Sequence, residues 1–189
     1  MESSDSKKIA ITGDPGSGKT TFARSVARIM HCELVTTGNI FRELAAKKGI
    51  SITDLNRLAE KQKEIDYEVD NYLKSLNDDP SRYVLDSRMA WYFVKDAFKV
   101  RLYVDPAVAV RRILLDKAEL REKYGSYEEA QKDIEARKQS EIKRYHDLYK
   151  VDISDNANFD LVIDTSNKTI EETTQEFLKH WKALEAEGM

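Results

Sequence analysis

Gly13-Asp14-Pro15-Gly16-Ser17-Gly18-Lys19-Thr20 follows directly on Lys7-Lys8-Ile9-Ala10-Ile11-Thr12, and the reading of this junction decides the fold. The first stretch reads as a short buried strand, and the octet fits GxxxxGK[ST]. Glycines let such a loop turn its backbone N–H groups inward onto phosphate oxygens, Lys19 reaches the β- and γ-phosphates, and the Thr20 hydroxyl is placed to ligate Mg²⁺. Beyond the loop, Phe22, Val26, Ile29 and Met30 share one helical stripe, so a helix N-terminus aims its partial positive charge at the same phosphates. Three of the chain's 7 glycines fall between positions 13 and 18, which concentrates turn-forming capacity at this one place. A nucleoside triphosphate is therefore the expected ligand, held by Gly13, Asp14, Pro15, Gly16, Ser17, Gly18, Lys19, Thr20 and Thr21.

The bulk numbers limit what surrounds that loop. A chain of 189 residues with 41% hydrophobic content is long enough to bury a core without disulfides or structural metal, and is read as one domain. Cys32 is the single cysteine, so no disulfide framework or paired-cysteine metal site is expected, which suits a reducing cytoplasm. Met1 to Ser6 is polar and no run reaches the length of a membrane span, so a soluble cytoplasmic protein is expected. A net charge of −3 argues against a general nucleic-acid binder. His31, His146 and His180 are dispersed, with no metal-ligand spacing, and the absence of an exposed heptad leaves a monomer as the expectation.

Outward from the loop, strands are expected at 33–36, 82–86, 99–105 and 159–164, separated by helical stretches. That alternation implies parallel βαβ units with ligands bound outside the carboxyl ends of the strands. Two helical segments interrupt it, at about 38–79 and 117–150. The first carries stripes at Ile40, Phe41, Leu44 and Ala45, then Leu55, Leu58 and Ala59 after a Thr53-Asp54 cap, then Ile65, Val69, Tyr72, Leu73 and Leu76. The second is highly charged. A closing helix places Ile170, Thr174, Phe177, Trp181 and Leu184 at core spacing. The fold class is thus α/β, with a five-stranded parallel sheet flanked by helices in three layers. Core regions at about 7–37, 80–116 and 151–187 carry the two insertions.

A phosphate loop serves switch GTPases, hydrolytic ATPases and small-substrate kinases alike. No Asp in this chain has Gly three residues later, as a γ-phosphate-sensing DxxG segment requires. Asp86 is followed by Ser87 and Asp105 by Pro106, so neither strand end offers a water-activating Glu. A kinase acting on a monophosphate makes a different demand: the attacking oxygen is already ionised, and catalysis rests on alignment and charge neutralisation. Arginine serves this better than lysine, because its planar fork grips phosphate bidentately. Arg42, Arg88, Arg111, Arg112, Arg137 and Arg144 stand at strand ends or in the insertions, with Arg112 expected on the triphosphate. Asp86 has two open roles, holding Mg²⁺ through water or capping the turn after its strand.

At these residues a family resemblance appears. Thr37-Gly38-Asn39-Ile40-Phe41-Arg42 resembles the TGxxFR segment of adenylate-kinase-like nucleoside monophosphate kinases. Val84-Leu85-Asp86-Ser87-Arg88-Met89-Ala90-Trp91 is similar to the strand-end signature of cytidylate kinases, especially the short archaeal-type branch. Arg137-Lys138-Gln139-Ser140-Glu141-Ile142-Lys143-Arg144-Tyr145 resembles a lid in which two arginines flank an acid. The resemblance runs from about Lys8 to Trp181. It implies a P-loop nucleoside monophosphate kinase fold, with residues 38–79 as the monophosphate-binding segment and 117–150 as the lid. It also implies ATP with Mg²⁺ as donor and CMP or dCMP as acceptor.

On this reading Thr37, Gly38, Arg42 and Arg88 hold the acceptor phosphate, and Lys19, Arg88, Arg137 and Arg144 carry the transfer. Glu141, four residues from Arg137 and three from Arg144, is expected to hold either arginine until the substrates arrive. Two departures stand out. Lys19 occupies a position where the short branch often has Thr, and Met89 stands where longer bacterial cytidylate kinases have Asp. Base contacts made there do not carry over, which leaves Asp66 and Asp70, one helical turn apart, as candidates to read the base. An adenylate or other small-acceptor kinase, and a nucleotide-responsive binding protein with slow hydrolysis, are the alternatives.

Overall fold

Ile9–Gly13, strand β1, is buried along its whole length because it is the middle strand of a sheet covered on both faces. A strand so placed reads as a continuous apolar run, the signal visible in the sequence. The structure, a computed structural model, describes residues 8–51, 54, 55, 58, 63–115, 124 and 126–186, together with all their side chains except that of Arg137. With β2 (Glu33–Thr36), β3 (Tyr83–Asp86), β4 (Phe98–Tyr103) and β5 (Leu161–Asp164), the sheet runs β2-β3-β1-β4-β5, and every pairing is parallel.

The helices whose bounds lie within the described residues are α1 (Lys19–Ile29), α2 (Thr37–Lys48), α3 (Lys63–Ser75), α4 (Ala90–Phe93), α5 (Pro106–Leu115), α6 (Tyr127–Tyr149) and α7 (Ile170–Ala186). Side chains that alternate along the strands divide the core into two layers. On one face Ala10, Val35 and Leu85 meet Ile40, Leu44, Leu73 and Trp91 from α2, α3 and α4. On the other Ile9, Ile11 and Val84 meet Phe22 and Val26 of α1 and Phe177 and Trp181 of α7. Phe22 and Phe177 pack edge-to-face with centroids 5.8 Å apart, so the stripe expected in the closing helix is its core face. The outcome is the expected three-layer α/β architecture with a five-stranded parallel sheet.

Register then positions the site. Ile11 pairs with Asp86, Thr36 also pairs with Asp86, and Gly13 pairs with Leu102. The carboxyl ends of β1, β2, β3 and β4 therefore open on one edge. From β1 the chain goes to β2 and β3 on one side, then crosses to β4 and β5 on the other. The loop after β1 thus leaves at the switch point, where a crevice forms between diverging connections.

Several local features depart from the sequence reading. Thr37 and Gly38 form the first turn of α2, because the Thr36 hydroxyl accepts from Asn39 N at 3.0 Å and caps the helix there. The next cap is Ser51, whose hydroxyl accepts from Asp54 N at 3.0 Å; Thr53 and Ala59 lie outside the described residues. The last strand starts at Leu161, after a 3₁₀ turn over Asn156–Asn158, and Phe159 packs on Trp91 at 5.2 Å instead of extending the strand. The longest helix, α6, has 23 residues and reaches about 35 Å at 1.5 Å per residue. Ser126 caps it by accepting from Glu129 N at 3.1 Å, and Ala130 and Ile134 seat its first half against Val110 of α5.

Candidate active site

The loop from Gly13 to Thr20 is shaped by its glycines. Gly16 and Gly18 adopt φ of 77° and 81°, the left-handed region that favours glycine. A Cβ on Gly13 would stand 2.8 Å from the Leu102 carbonyl oxygen, so this residue lets β1 and β4 approach closely at their ends. Helix α1 then begins at Lys19, directing its unpaired N–H groups back into the loop. A cleft of about 360 Å³ lies in front, bordered by Gly16, Gly18, Lys19, Thr20, Thr21 and Arg112 among others.

Inside it, the Asp86 carboxylate receives two hydrogen bonds. Lys19 Nζ donates to Oδ1, and Thr20 Oγ1 donates to Oδ2 at 2.7 Å. Burial and the Arg88 guanidinium lower the Lys19 ammonium from its ordinary value to about 7, with Glu141 opposing them. Thr20 and Asp86 together are a pair of hard oxygen donors facing the phosphate loop, the chemistry Mg²⁺ prefers. Among the described residues no group of three or more His, Cys, Asp or Glu forms a protein-only metal cage. The turn after β3 is capped not by Asp86 but by the Ser87 hydroxyl, which accepts from Met89 N at 3.4 Å.

Two residues expected on the triphosphate, Asp14 and Arg112, border this cleft and also brace the loop. Arg112 Nη2 donates to Thr165 O at 2.6 Å and Lys168 O at 3.4 Å, while Nη1 reaches Gly16 O at 3.4 Å. This guanidinium staples the phosphate loop to the segment after β5 while still bordering the cleft. Asp14 N donates to Leu102 O at 3.0 Å. The Asp14 side chain meets Arg101 at 3.3 Å and Lys138 at 3.2 Å, so it joins β4 to α6. Neither Arg101 nor Lys138 was singled out from the sequence; a charged side chain inside an apolar strand was the available signal for Arg101.

A second cleft, of about 480 Å³, lies beside the first and is bordered by Thr37, Phe41, Asp66, Asp70, Arg88 and Tyr149 among others. Its volume is in the range that takes a small organic ligand. Arg88, carried past the end of β3, borders both clefts. Its Nη1 donates to Gly13 O, and its Nε pairs with Glu141 at 2.9 Å. Glu141 therefore engages the core arginine that borders both clefts. Arg144 is held across the cleft by Asp66 of α3, and Tyr149 donates its hydroxyl to Asp70. Thr37 Oγ1, at the second cleft, donates to Asp86 O at 3.5 Å.

One helix supplies this wall. Lys138, Glu141, Tyr145 and Tyr149 follow one another at three- and four-residue spacing, so they share a face of α6. That face crosses the phosphate loop, then the end of β3, then α3. Arg137 lies on the same helix, with its side chain outside the described residues. Arg42 is exposed and turned onto Asn39 of its own helix, and Gly38 beside it is exposed too. The structure thus brings together Lys19, Thr20, Asp86, Arg88, Asp66, Asp70, Glu141 and Arg144, and leaves Arg42 apart. Tyr145 and Tyr149 were missed because aromatic residues on a charged helix resemble ordinary packing.

Known proteins resemble this chain in sequence and in fold. The family model described as "Cytidylate kinase-like family" matches residues 8–167. A cytidylate kinase of Pyrobaculum islandicum is 38% identical over 162 residues, covering 86% of this chain and 85% of that protein. Among solved structures, an uncharacterized protein from Eubacterium ventriosum superposes with a TM-score of 0.71 at 16% identity, covering 92% of this chain and 97% of that one. Shikimate kinase from Bacteroides thetaiotaomicron gives 0.62, also at 16% identity, over 93% and 98%. The two structures bear on the fold alone, which they share with this chain. Taken with the phosphate loop, the paired clefts and the arginine between them, the sequence match makes this chain a member of the cytidylate kinase-like family, and so a phosphotransferase.

Proposed function

We propose that this chain transfers the γ-phosphoryl group of ATP to CMP or dCMP, releasing ADP and CDP or dCDP. The observation that carries the reading is the position of Arg88, whose guanidinium borders both clefts and so can bind an acceptor phosphate facing the donor. The donor triphosphate lies along Gly13, Gly16, Ser17 and Gly18 with Lys19 on its β- and γ-phosphates. Thr20, and Asp86 through water, would hold Mg²⁺, which would supply charge neutralisation on the phosphate chain. An oxygen of the acceptor monophosphate attacks the γ-phosphorus, the bond to the β–γ bridging oxygen breaks, and ADP leaves. The attacking oxygen is ionised at neutral pH, so no residue here has to act as a strong base.

The resting ion pairs give the arginines their order of use. Glu141 holds Arg88 and Asp66 holds Arg144 before substrates arrive. An acceptor phosphate displaces Glu141 from Arg88, while Arg42 with Thr37 and Gly38, and Arg137 with Arg144 on α6, complete the charged enclosure. Residues 38–79 act as the monophosphate-binding segment and 117–150 as the lid. Assembly only after both substrates bind keeps water from accepting the phosphoryl group. Among the described residues no helix is long and apolar enough to cross a membrane. A cytoplasmic location and a monomeric state belong to the same proposal.

ADP formation from ATP and Mg²⁺, measured with each nucleoside monophosphate in turn, tests the proposal. Strong stimulation by CMP or dCMP is expected. Stimulation by AMP alone would move the assignment to an adenylate kinase, and slow ADP release indifferent to every acceptor would identify a nucleotide-responsive binding protein.

A further inference from the structure

Resting on the acceptor assignment above, we infer that Asp70 and Tyr149 together form the base-discriminating element of the acceptor cleft, accepting both hydrogens of an exocyclic amino group and rejecting a carbonyl. Asp70 is nearly buried, at 5% exposure, and lies on the cleft wall of α3. Tyr149 reaches it from the end of α6 and donates its single hydroxyl hydrogen to Asp70 Oδ2. With that hydrogen committed, the phenol oxygen has only lone pairs left to present. Asp70 likewise presents only lone pairs, so the two side chains make a surface of acceptors.

The surroundings hold the pair in this state. The Tyr149 ring stacks on Tyr145 at 6.2 Å and meets Phe93 edge-to-face at 5.3 Å, which fixes the direction of its hydroxyl. Burial and the bond to Asp70 both push the Tyr149 phenol well above its ordinary value, so it keeps its hydrogen at neutral pH. Burial also raises Asp70, while donation from Tyr149 and the charges of Lys74 and Arg144 work against that rise. Arg144, a cation bordering the same cleft, is already matched by Asp66. Asp66 is therefore assigned to positioning Arg144, and base reading to Asp70.

Geometry orients the ligand. Tyr149 is eight residues beyond Glu141 on α6, about 12 Å along its axis, and Glu141 marks the position of Arg88. A monophosphate anchored at Arg88 extends its base toward Asp70 and Tyr149, with Phe41, Val69 and Leu73 offering apolar contact at the cleft wall. The 4-amino group of cytosine carries two hydrogens and matches both acceptors. Uracil and thymine place a carbonyl oxygen there, lone pair against lone pair.

Titration calorimetry of CMP, UMP and AMP into the whole chain without ATP tests this, with thermal unfolding checked for each variant. CMP is expected to bind at least about 10-fold more tightly than UMP, the scale of a charge-assisted hydrogen bond in a buried site. Asp70→Asn, whose amide can turn its NH₂ toward a carbonyl, is expected to bring CMP and UMP within about threefold of each other. Tyr149→Phe keeps the carboxylate and should narrow the preference by a smaller factor. Loss of AMP binding in Asp70→Asn would support the pair, because adenine also presents an amino group. Equal binding of CMP and UMP by the unaltered chain, or an unchanged ratio in folded Asp70→Asn, would overturn it. CMP preference without phosphoryl transfer would instead sink the kinase assignment and leave the pair standing.

Discussion

The donor cleft and the acceptor cleft share Arg88 but are built on different principles. The donor side is a short continuous loop made rigid by its backbone: left-handed glycines, a close approach between Gly13 and Leu102, and the Arg112 staple to Thr165. The acceptor side is assembled from side chains of separate elements, Asp66 and Asp70 from α3, Arg88 from the end of β3, and Glu141, Arg144 and Tyr149 from α6. Its pieces are tied by ion pairs that substrate can replace. Backbone makes a phosphate cradle that does not need to move, whereas exchangeable pairs make a wall that can open, close and select.

Substitution at the shared edge should produce the largest effects. Lys19→Ala removes the cation that reaches the transferring phosphate and is expected to lower kcat by about 10²–10³-fold or more, with weaker ATP binding, as read from steady-state kinetics. Arg88→Ala should lower kcat by about 10²-fold while leaving ATP affinity near its original value, because its proposed task is on the acceptor side. Arg88→Lys should recover only part of that loss, since a point charge does not reproduce the planar fork. If Arg88→Ala weakened ATP binding and left acceptor binding intact, the division between the clefts would fail.

Backbone rigidity on the donor side makes a separate claim. Gly16→Ala would place a Cβ 2.9 Å from Ala109 Cα at φ of 77°. It is expected to cost about 1–3 kcal/mol, visible as a fall in Tm of about 2–4 °C for each kcal/mol. Gly38→Ala serves as the contrast, because its added Cβ would meet nothing closer than Arg42 Nη1 at 3.6 Å, and its Tm should hardly change.

A smaller signal is protonic. Lys19 is lowered to about 7 in the folded chain from an ordinary value of 10.5, so between these values the unfolded chain binds more protons. Its contribution to stability therefore improves as pH rises through that window and is least favourable below about 7. The ATP phosphates favour the ammonium, so binding at pH 8 should take up a fraction of a proton. Calorimetric binding enthalpy should then depend on the ionisation enthalpy of the buffer, and the dependence should vanish in Lys19→Met. The smallest effect is expected of Lys138→Ala. A partly exposed ion pair with Asp14 is worth at most about 1 kcal/mol, so turnover should change by less than about fivefold, with faster amide exchange in α6.

The same contrast explains what the sequence disclosed. The donor side was legible because Gly13 to Thr20 is contiguous and its spacing has a mechanical meaning. The parallel sheet was legible because Ile9–Thr12 and Val84–Leu85 carry unbroken apolar runs, and α7 because Phe177 and Trp181 recur at helical period. The short helix α4 was not, since four residues show no periodicity; Trp91 is held there by a bond from Nε1 to Arg88 O at 2.9 Å. On the acceptor side, spacing within α6 joined Glu141 to Arg137 and Arg144 on paper. In the fold α6 crosses the end of β3, and Glu141 also meets Arg88, 53 positions away, which no local spacing could show. The Tyr149–Asp70 pair spans 79 positions and leaves no trace in local pattern. Arg42, four residues after Gly38 and beside it on α2, donates to Asn39 of its own helix.

The central claim is that these two clefts pass one phosphoryl group between them. The most direct measurement follows a radiolabel in the γ-phosphate of ATP through a single turnover with Mg²⁺ and CMP. The account expects the label in the β-phosphate of CDP, with little inorganic phosphate formed while acceptor is present. Label released as inorganic phosphate at a rate indifferent to CMP would contradict it.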